Sequence, residues 1–151
     1  MKVAEFMSRD VQTVKLDQPI REAAEFMLRA DAGSMPVCDG DALIGMVTDR
    51  DITVRGVAAG RGPDTPVRDV MTDEVLYCFE DEEIEEVALK MSDRQVRRMP
   101  VLSRDDRTLV GIVSLGDLSR SDREDAASVA LDGITDPGGE HNQSRERQSQ
   151  A

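Results

Sequence analysis

The sequence predicts a mixed α/β (α+β) fold made of two pseudo-symmetric β-α-β-β-α repeats, and three observations predict it. First, Met7-Ser8 matches Met71-Thr72, and the same shift of 64 residues pairs Val11 with Val75, Asp17 with Asp81, Ile20 with Ile84, Ala24 with Ala88 and Met27 with Met91. Second, Met35-Pro36-Val37 returns as Met99-Pro100-Val101. Third, Gly45-Met46-Val47-Thr48-Asp49-Arg50-Asp51 returns as Gly111-Ile112-Val113-Ser114-Leu115-Gly116-Asp117, now at a shift of 66. The two extra residues fall between Val101 and Gly111, where Ser103-Arg104-Asp105-Asp106 reads as a turn, and a turn is where a duplicated fold absorbs an insertion.

The elements follow in order. Residues 3–7 and 67–71 read as short helical lead-ins, and residues 11–14 and 75–79 as short strands. Pro19 sits where a helix can begin, since a missing N–H costs nothing in a first turn. Ile20, Ala23, Ala24 and Met27 recur at i, i+3, i+4 and i+7, the spacing of one helical face, and Ile84, Val87, Ala88 and Met91 repeat it. Residues 34–38 and 98–102 are second strands, whose Pro36 and Pro100 fit only a sheet edge or a strand margin. Residues 42–48 and 107–114 are third strands joined to the second by hairpins, and residues 49–57 and 115–119 begin closing helices.

The domain boundaries follow: a first domain over 1–59, a Gly- and Pro-containing linker over 60–66, a second domain over 67–121, and a polar tail over 122–151 read as a short helix and then disorder. A copy of some sixty residues is a marginal core alone, so the two are expected to stack, with clefts near the ends of the third strands.

Composition removes several function classes. A net charge of −12 gives no general electrostatic footprint for nucleic acid, and aromatics at 3% with no Trp leave no stacking platform. No run of 18 apolar residues suggests a membrane span, and no apolar leader opens the chain, so the expected location is the cytoplasm. The single histidine, His141, lies in the polar tail, which leaves no histidine general base and no His/Cys zinc cluster. Cys38 and Cys78 lie in apolar runs and read as buried thiols.

Chemistry concentrates in the third repeated motif. A strand that stops at Thr48 or Ser114 and turns into a helix presents a hydroxyl able to bond a phosphate, and the Asp three residues on, Asp51 or Asp117, can accept from both hydroxyls of a ribose diol. The alternative is an ordinary helix start, with Thr48 as cap and Asp51 answering the helix dipole. Recurrence in matching context favours the ligand.

The two copies of G-h-x-T/S-x-x-D, the preceding Met-Pro-Val strands and the Val-x-x-Met lead-ins resemble a CBS domain pair, or Bateman module, over roughly residues 1–120. The look is close to small stand-alone bacterial pairs. The resemblance implies binding of adenosine-type ligands such as AMP, ATP or S-adenosylmethionine, with no catalytic cofactor. It implies that Asp51 and Asp117 hold ribose hydroxyls and that Thr48 and Ser114 bind near ribose or phosphate. It places the base against Thr13, Val14, Pro36 and Val37 in one cleft and against Tyr77, Cys78, Pro100 and Val101 in the other. Arg98 and Arg50 are the phosphate candidates; Arg98 is matched by Ser34 and Arg50 by Gly116, so the clefts are unequal.

Three functions remain open at this point. The first is a nucleotide sensor acting in trans on an unidentified regulated protein, expected to be a homodimer with Ala24, Met27, Ala88 and Met91 as candidate face residues. The second is an interaction protein that kept the fold and binds no nucleotide. The third is a nucleotide hydrolase, against which stand the missing histidine, nucleophile elbow and Walker A loop. Neither nucleic acid nor membrane is an expected partner.

Overall fold

The computed structural model describes residues 1–119 together with Leu131 and Ile134. The tail expected over 122–151 lies outside the described residues apart from those two. The chain forms two compact units: one takes Asp10–Leu76 with Arg107–Leu109, the other Met1–Arg9, Tyr77–Asp106 and the segment from Val110.

In the first unit, helix α1 (Ile20–Ala30) follows Pro19, whose extended backbone makes it the N-cap. The free N–H groups of its first turn are taken by the linker: Ile20 donates to the Thr65 carbonyl at 2.8 Å and Arg21 to that of Pro63 at 3.1 Å. The helix ends at Asp31, in the left-handed region at φ 51°, whose N–H returns to Met27 and Leu28. Its buried face, Ile20, Ala23 and Met27, packs with Val14, Met35, Val37, Val47, Val67 and Val70. Each of the buried Val, Ile and Met side chains contributes about 1.5–3 kcal/mol relative to exposure.

Strands β1 (Ser34–Asp39) and β2 (Ala42–Thr48) pair antiparallel from Ser34↔Thr48 to Asp39↔Ala42, with a bulge between Val37 and Cys38. Pro36 sits inside β1 rather than at a margin. Its partner Met46 turns both backbone groups to Thr72 on the far side, at 2.9 and 2.8 Å, so β2 requires no donor from the proline. On the other flank its carbonyl accepts from Val14 N–H at 3.1 Å. The strand expected over 11–14 accordingly shrinks to one parallel bridge, Val14↔Val37, because Pro36 has no N–H with which to carry the ladder further back. This sheet is therefore two-stranded, not three.

The second unit holds β3 (Cys78–Phe79), α3 (Ile84–Arg94), β4 (Arg98–Leu102), β5 (Leu109–Ser114) from Val110 onward and α4 (Leu115–Ser119), with strand order β3-β4-β5. The strand expected over 75–79 is only β3, parallel to β4 through Cys78↔Val101 and Phe79↔Leu102. Strand β5 begins two residues later than expected, since Arg107 takes φ 59° in the turn. Ile84, Val87, Ala88 and Met91 are buried, as their spacing predicts.

The lead-ins form single 3-10 turns, Val3–Glu5 and Val67–Asp69, and each closes the unit built by the other repeat. Thr72 pairs with Met46 of β2, and Ser8 pairs with Ile112 of β5. Val67 and Val3 are fully buried in those units. Compaction thus crosses the sequence repeats that suggested boundaries at 59 and 67.

Two further expectations are corrected. The closing helix over 49–57 is α-helical only at α2 (Asp49–Asp51) and continues as a π-helical segment, Ile52–Val57, with Ala58 N–H reaching the Thr53 carbonyl at 2.9 Å. The wider turn seats buried Gly56 on α1, where a Cβ would stand 3.2 Å from Ile20 Cδ1. Of the candidate dimer-face residues, Met27, Ala88 and Met91 belong to the cores of their own units, leaving Ala24 exposed. Among the described residues, no helix is long and apolar enough to cross a membrane.

Candidate functional site

Both third strands end in the same device. Thr48 keeps an extended backbone while its Oγ1 accepts from Asp51 N–H at 3.0 Å, and Asp51 Oδ2 accepts from Thr48 N–H at 3.0 Å. Ser114 and Asp117 repeat the exchange at 3.2 and 2.8 Å. These are reciprocal capping boxes, in which a T/S-x-x-D spacing satisfies two otherwise unpaired helix donors. The cap reading of the motif is therefore realised in both copies. It does not exhaust the chemistry, because a carboxylate offers about four acceptor positions and the box uses one. What the box adds is orientation, since each carboxylate is pinned at a strand end.

The carboxylates differ in surroundings. The Asp51 side chain is 13% exposed, with Oδ1 4.0 Å from Arg55 Nε. Arg55 in turn donates to the Met71 carbonyl at 3.2 Å, tying the box to the lead-in. Asp117 is 4% exposed and is the one buried charged residue among those described.

The first residue after each box hydroxyl is tied to the loop before the second strand. Asp49 N–H donates to the Gly33 carbonyl and Leu115 N–H to that of Arg97, both at 2.9 Å. Arg98 opens β4 beside this contact and is exposed.

The residues expected to wall the base divide differently. Thr13, Val14, Pro36 and Val37 share the first unit with Thr48 and Asp51, while Tyr77, Cys78, Pro100, Val101 and Arg98 share the second with Ser114 and Asp117. The grouping matches, but Val14, Val37, Cys78 and Val101 turn their side chains into the cores, and Pro36 and Pro100 are buried. Only Thr13, exposed, and Tyr77, half-buried and edge-on to Phe79 at 5.6 Å, keep side chains open to a ligand. Burial pushes the Cys78 thiol up to about 12, with Glu82 adding to the rise, and its Sγ donates to the Pro100 carbonyl at 3.8 Å.

Asp49, Arg55 and Arg97 went unnoticed as site residues. Aligning the repeats at both shifts puts Gly33 opposite Arg97 and Asp49 opposite Leu115, which is the signal that would have marked two of them. A groove of about 380 Å³ lies elsewhere, along α1, the π-helical segment and the linker, lined by Ile20, Ala24, Leu28, Ile52, Val57 and Pro63 among others. Leu28 and Val57 stand 83% and 68% exposed at its rim, and neither Thr48 nor Asp51 lines it. Among the described residues, no cluster of three or more His, Cys, Asp or Glu side chains is placed to hold a metal ion.

Comparison with known proteins follows the same division into two. The CBS domain family profile matches residues 3–55 and 67–124. The CBS domain-containing protein YhcV of Bacillus subtilis is 39% identical over 88% of this chain and 94% of its own. Hypoxic response protein 1 of Mycobacterium tuberculosis is 36% identical over 88% of this chain and 93% of its own. The crystal structure of Hypoxic Response Protein I with two coordinated zinc ions superposes with a TM-score of 0.72 at 36% identity, covering 80% of this chain and 98% of that one. The CBS domain pair of MJ0100, solved with 5-methylthioadenosine and S-adenosyl-L-methionine, gives 0.68 at 30% identity, over 80% of this chain and 94% of that one. CBSX2, solved with AMP, gives 0.70 at 25% identity, over 79% and 93%.

Proposed function

The chain belongs to the CBS domain family, carrying its domain twice, and from that premise we propose that it is a regulatory module that binds adenine nucleotides or related adenosine derivatives and acts in trans on a partner protein. The observation that carries the reading is the duplicated hydroxyl–carboxylate box, held at the end of the third strand in each unit. In each, an Asp fixed at a strand end can accept the paired donors of a ribose diol. Structural relatives solved with AMP, S-adenosyl-L-methionine and 5-methylthioadenosine support the ligand class. Thr48, Asp51, Ser114 and Asp117 are the proposed ribose and phosphate contacts, with Thr13 and Tyr77 nearest the base.

The proposed role is binding rather than turnover, in the cytoplasm, and as a homodimer. In the first unit, Ala24, Leu28, Val57 and Pro63 are exposed apolar side chains along one groove that a second copy can cover.

A thermal-shift titration with AMP, ATP and S-adenosylmethionine tests this directly. A ligand bound only by the folded state raises stability by about 2.7 kcal/mol at a hundredfold excess over Kd. At least one of the three is expected to raise the melting temperature, with no product formed over hours of incubation. If none does, the chain is an interaction protein that has kept the fold without the ligand.

A further inference from the structure

In the first unit, Arg55 joins the box to the lead-in. Asp51 Oδ2 already accepts from the Thr48 N–H at 3.0 Å, so Oδ1 is the better acceptor for a ribose hydroxyl. Arg55 Nε stands 4.0 Å from that Oδ1. The same guanidinium donates through Nη1 to the Met71 carbonyl at 3.2 Å. That carbonyl and the Thr72 N–H belong to one peptide group, and the Thr72 N–H donates to the Met46 carbonyl at 2.8 Å. A chain of polar contacts thus runs from the Asp51 carboxylate through Arg55 and the Met71–Thr72 peptide into β2, all of it within the first unit. Bonds in such a chain polarise one another, so a change at one end is felt at the other.

An ion pair between residues four apart on a helix is by itself an ordinary surface feature. Two observations set this one apart. The segment that carries Arg55, Ile52–Val57, is π-helical, a rare geometry that recurs at functional sites. The pair is also lopsided: the Arg55 side chain is 55% exposed and that of Asp51 13%, so the carboxylate is fixed and the guanidinium is the partner able to swing into solvent. At the second box the shift of 66 sets Ser121 opposite Arg55, so the sequence supplies no cation at that position.

Resting on the proposed adenosine-binding role, we infer that Arg55 is the latch of the first site. It covers the outer oxygen of Asp51 when no ligand is bound, a ribose displaces it, and its departure loosens the Met71–Thr72 peptide. Binding at the box is thereby linked to the hold on the lead-in. Such a coupling is reciprocal: the factor by which Arg55 lowers ligand affinity is the factor by which ligand weakens the Arg55 contact. The factor is modest, since an exposed pair changes an equilibrium constant by up to about fivefold.

The probe is adenosine, which carries no phosphate and so reports on the ribose contact without a charge of its own. Calorimetric titration of the full chain compares Asp117→Asn, which leaves the first box to bind, with Asp117→Asn/Arg55→Met, whose new side chain has neither charge nor donor. Should circular dichroism show that Asp117→Asn disturbs the fold, the wild type and Arg55→Met are compared in the same way. Loss of Arg55 is expected to tighten adenosine binding about two- to fivefold. Added salt should tighten it where Arg55 is present, because screening weakens the pair, and should leave Arg55→Met unmoved. Adenosine should speed hydrogen exchange at the Thr72 amide relative to the β1–β2 amides, and Arg55→Met should show the faster rate without ligand. Equal or weaker binding on loss of Arg55 overturns the latch and leaves the adenosine-binding reading standing. Loss of all binding in a folded Asp117→Asn places the ligand at the second box alone and overturns the latch too. Tighter binding with Thr72 exchange indifferent to adenosine overturns the link to the lead-in. Absence of binding in the wild type and in Arg55→Met alike overturns the adenosine-binding reading, and this inference falls with it.

Discussion

Gly45 lies against Met71 so closely that a Cβ on the glycine would stand 2.9 Å from the methionine sulfur and 2.9 Å from the Thr72 carbonyl oxygen. The second copy repeats the contact: a Cβ on Gly111 would stand 2.7 Å from the Met7 sulfur and 2.8 Å from the Ser8 carbonyl. The glycine that heads each motif therefore lets a lead-in cross the third strand at backbone distance. Next to each crossing the lead-in is held by a reciprocal pair of hydrogen bonds, Met46 with Thr72 and Ser8 with Ile112, at 2.8–2.9 Å.

Gly45→Ala and Gly111→Ala should each destabilise the fold by about 1–3 kcal/mol, the usual cost of forcing extra volume into a packed site. A methionine sulfur can swing away, but the carbonyl of a paired strand cannot without breaking its bonds. Urea unfolding followed by circular dichroism reads the cost as a lower midpoint. An unchanged midpoint in both variants would mean that the lead-ins are loosely held.

Because the lead-ins are exchanged, cutting at the sequence repeat should damage the unit farther along the chain. Val3 is fully buried and donates to the Glu82 carbonyl at 3.0 Å, and Ala4 donates to that of Glu80 at 3.1 Å. Removal of residues 1–9 should therefore expose the Ile112 amide to rapid hydrogen exchange while the β1–β2 hairpin stays protected. Val3→Ala, which keeps the backbone bonds, should cost about 1–3 kcal/mol through its cavity. Equal loss of protection in both hairpins would argue against separate units.

How far the chain could be read without coordinates depends on the range of each signal. Helices α1 and α3 and the β1–β2 hairpin were legible because their periodicity and turns are local. Exchange of the lead-ins was not, since Val3 and Val67 look equally apolar whichever unit they enter. The π-helical stretch was hidden for a similar reason: over Ile52–Val57, apolar spacing does not separate a 3.6-residue turn from a wider one. At the site, hydroxyl and carboxylate spacing predicted a strand end with a fixed Asp, and that is what forms. Val14, Val37, Cys78 and Val101, expected to wall the base, turn their side chains into the cores, because a short strand motif does not say which of its faces is the core.

The two thiols should be inert in the folded protein. Burial raises the pKa of both thiols, Cys38 with help from Asp41 and Cys78 to about 12, so almost no reactive thiolate exists near neutrality. Iodoacetamide at pH 8 should label neither cysteine until urea is added, and both afterwards. The linkage has a definite sign: the unfolded chain releases the Cys78 proton first, so stability is full below the ordinary thiol range and falls as pH rises through it towards 12. Rapid labelling of native Cys78 would show that β3 opens far more readily than its pairing with β4 suggests.

Acid should act at the start of α3 with the opposite sign. Arg104 grips Asp81 through two hydrogen bonds, at 2.7 and 2.8 Å, and lies over the Phe79 ring at 4.2 Å. The guanidinium bond to Asp81, more than bulk Coulomb attraction, holds that carboxyl below its ordinary range. Folding then favours the ionised form, so the contribution of the pair is complete above the unfolded carboxyl's pKa and disappears as pH falls through the lowered folded value. Both side chains are solvent-exposed, so the readout of choice is the site and not global stability. In a carbon-13 NMR titration, Asp81 should protonate at lower pH than a free aspartate, and Arg104→Gln should move it back up. A midpoint that stays low in that variant would transfer the effect to the backbone N–H groups around Asp81 and remove Arg104 from its cause.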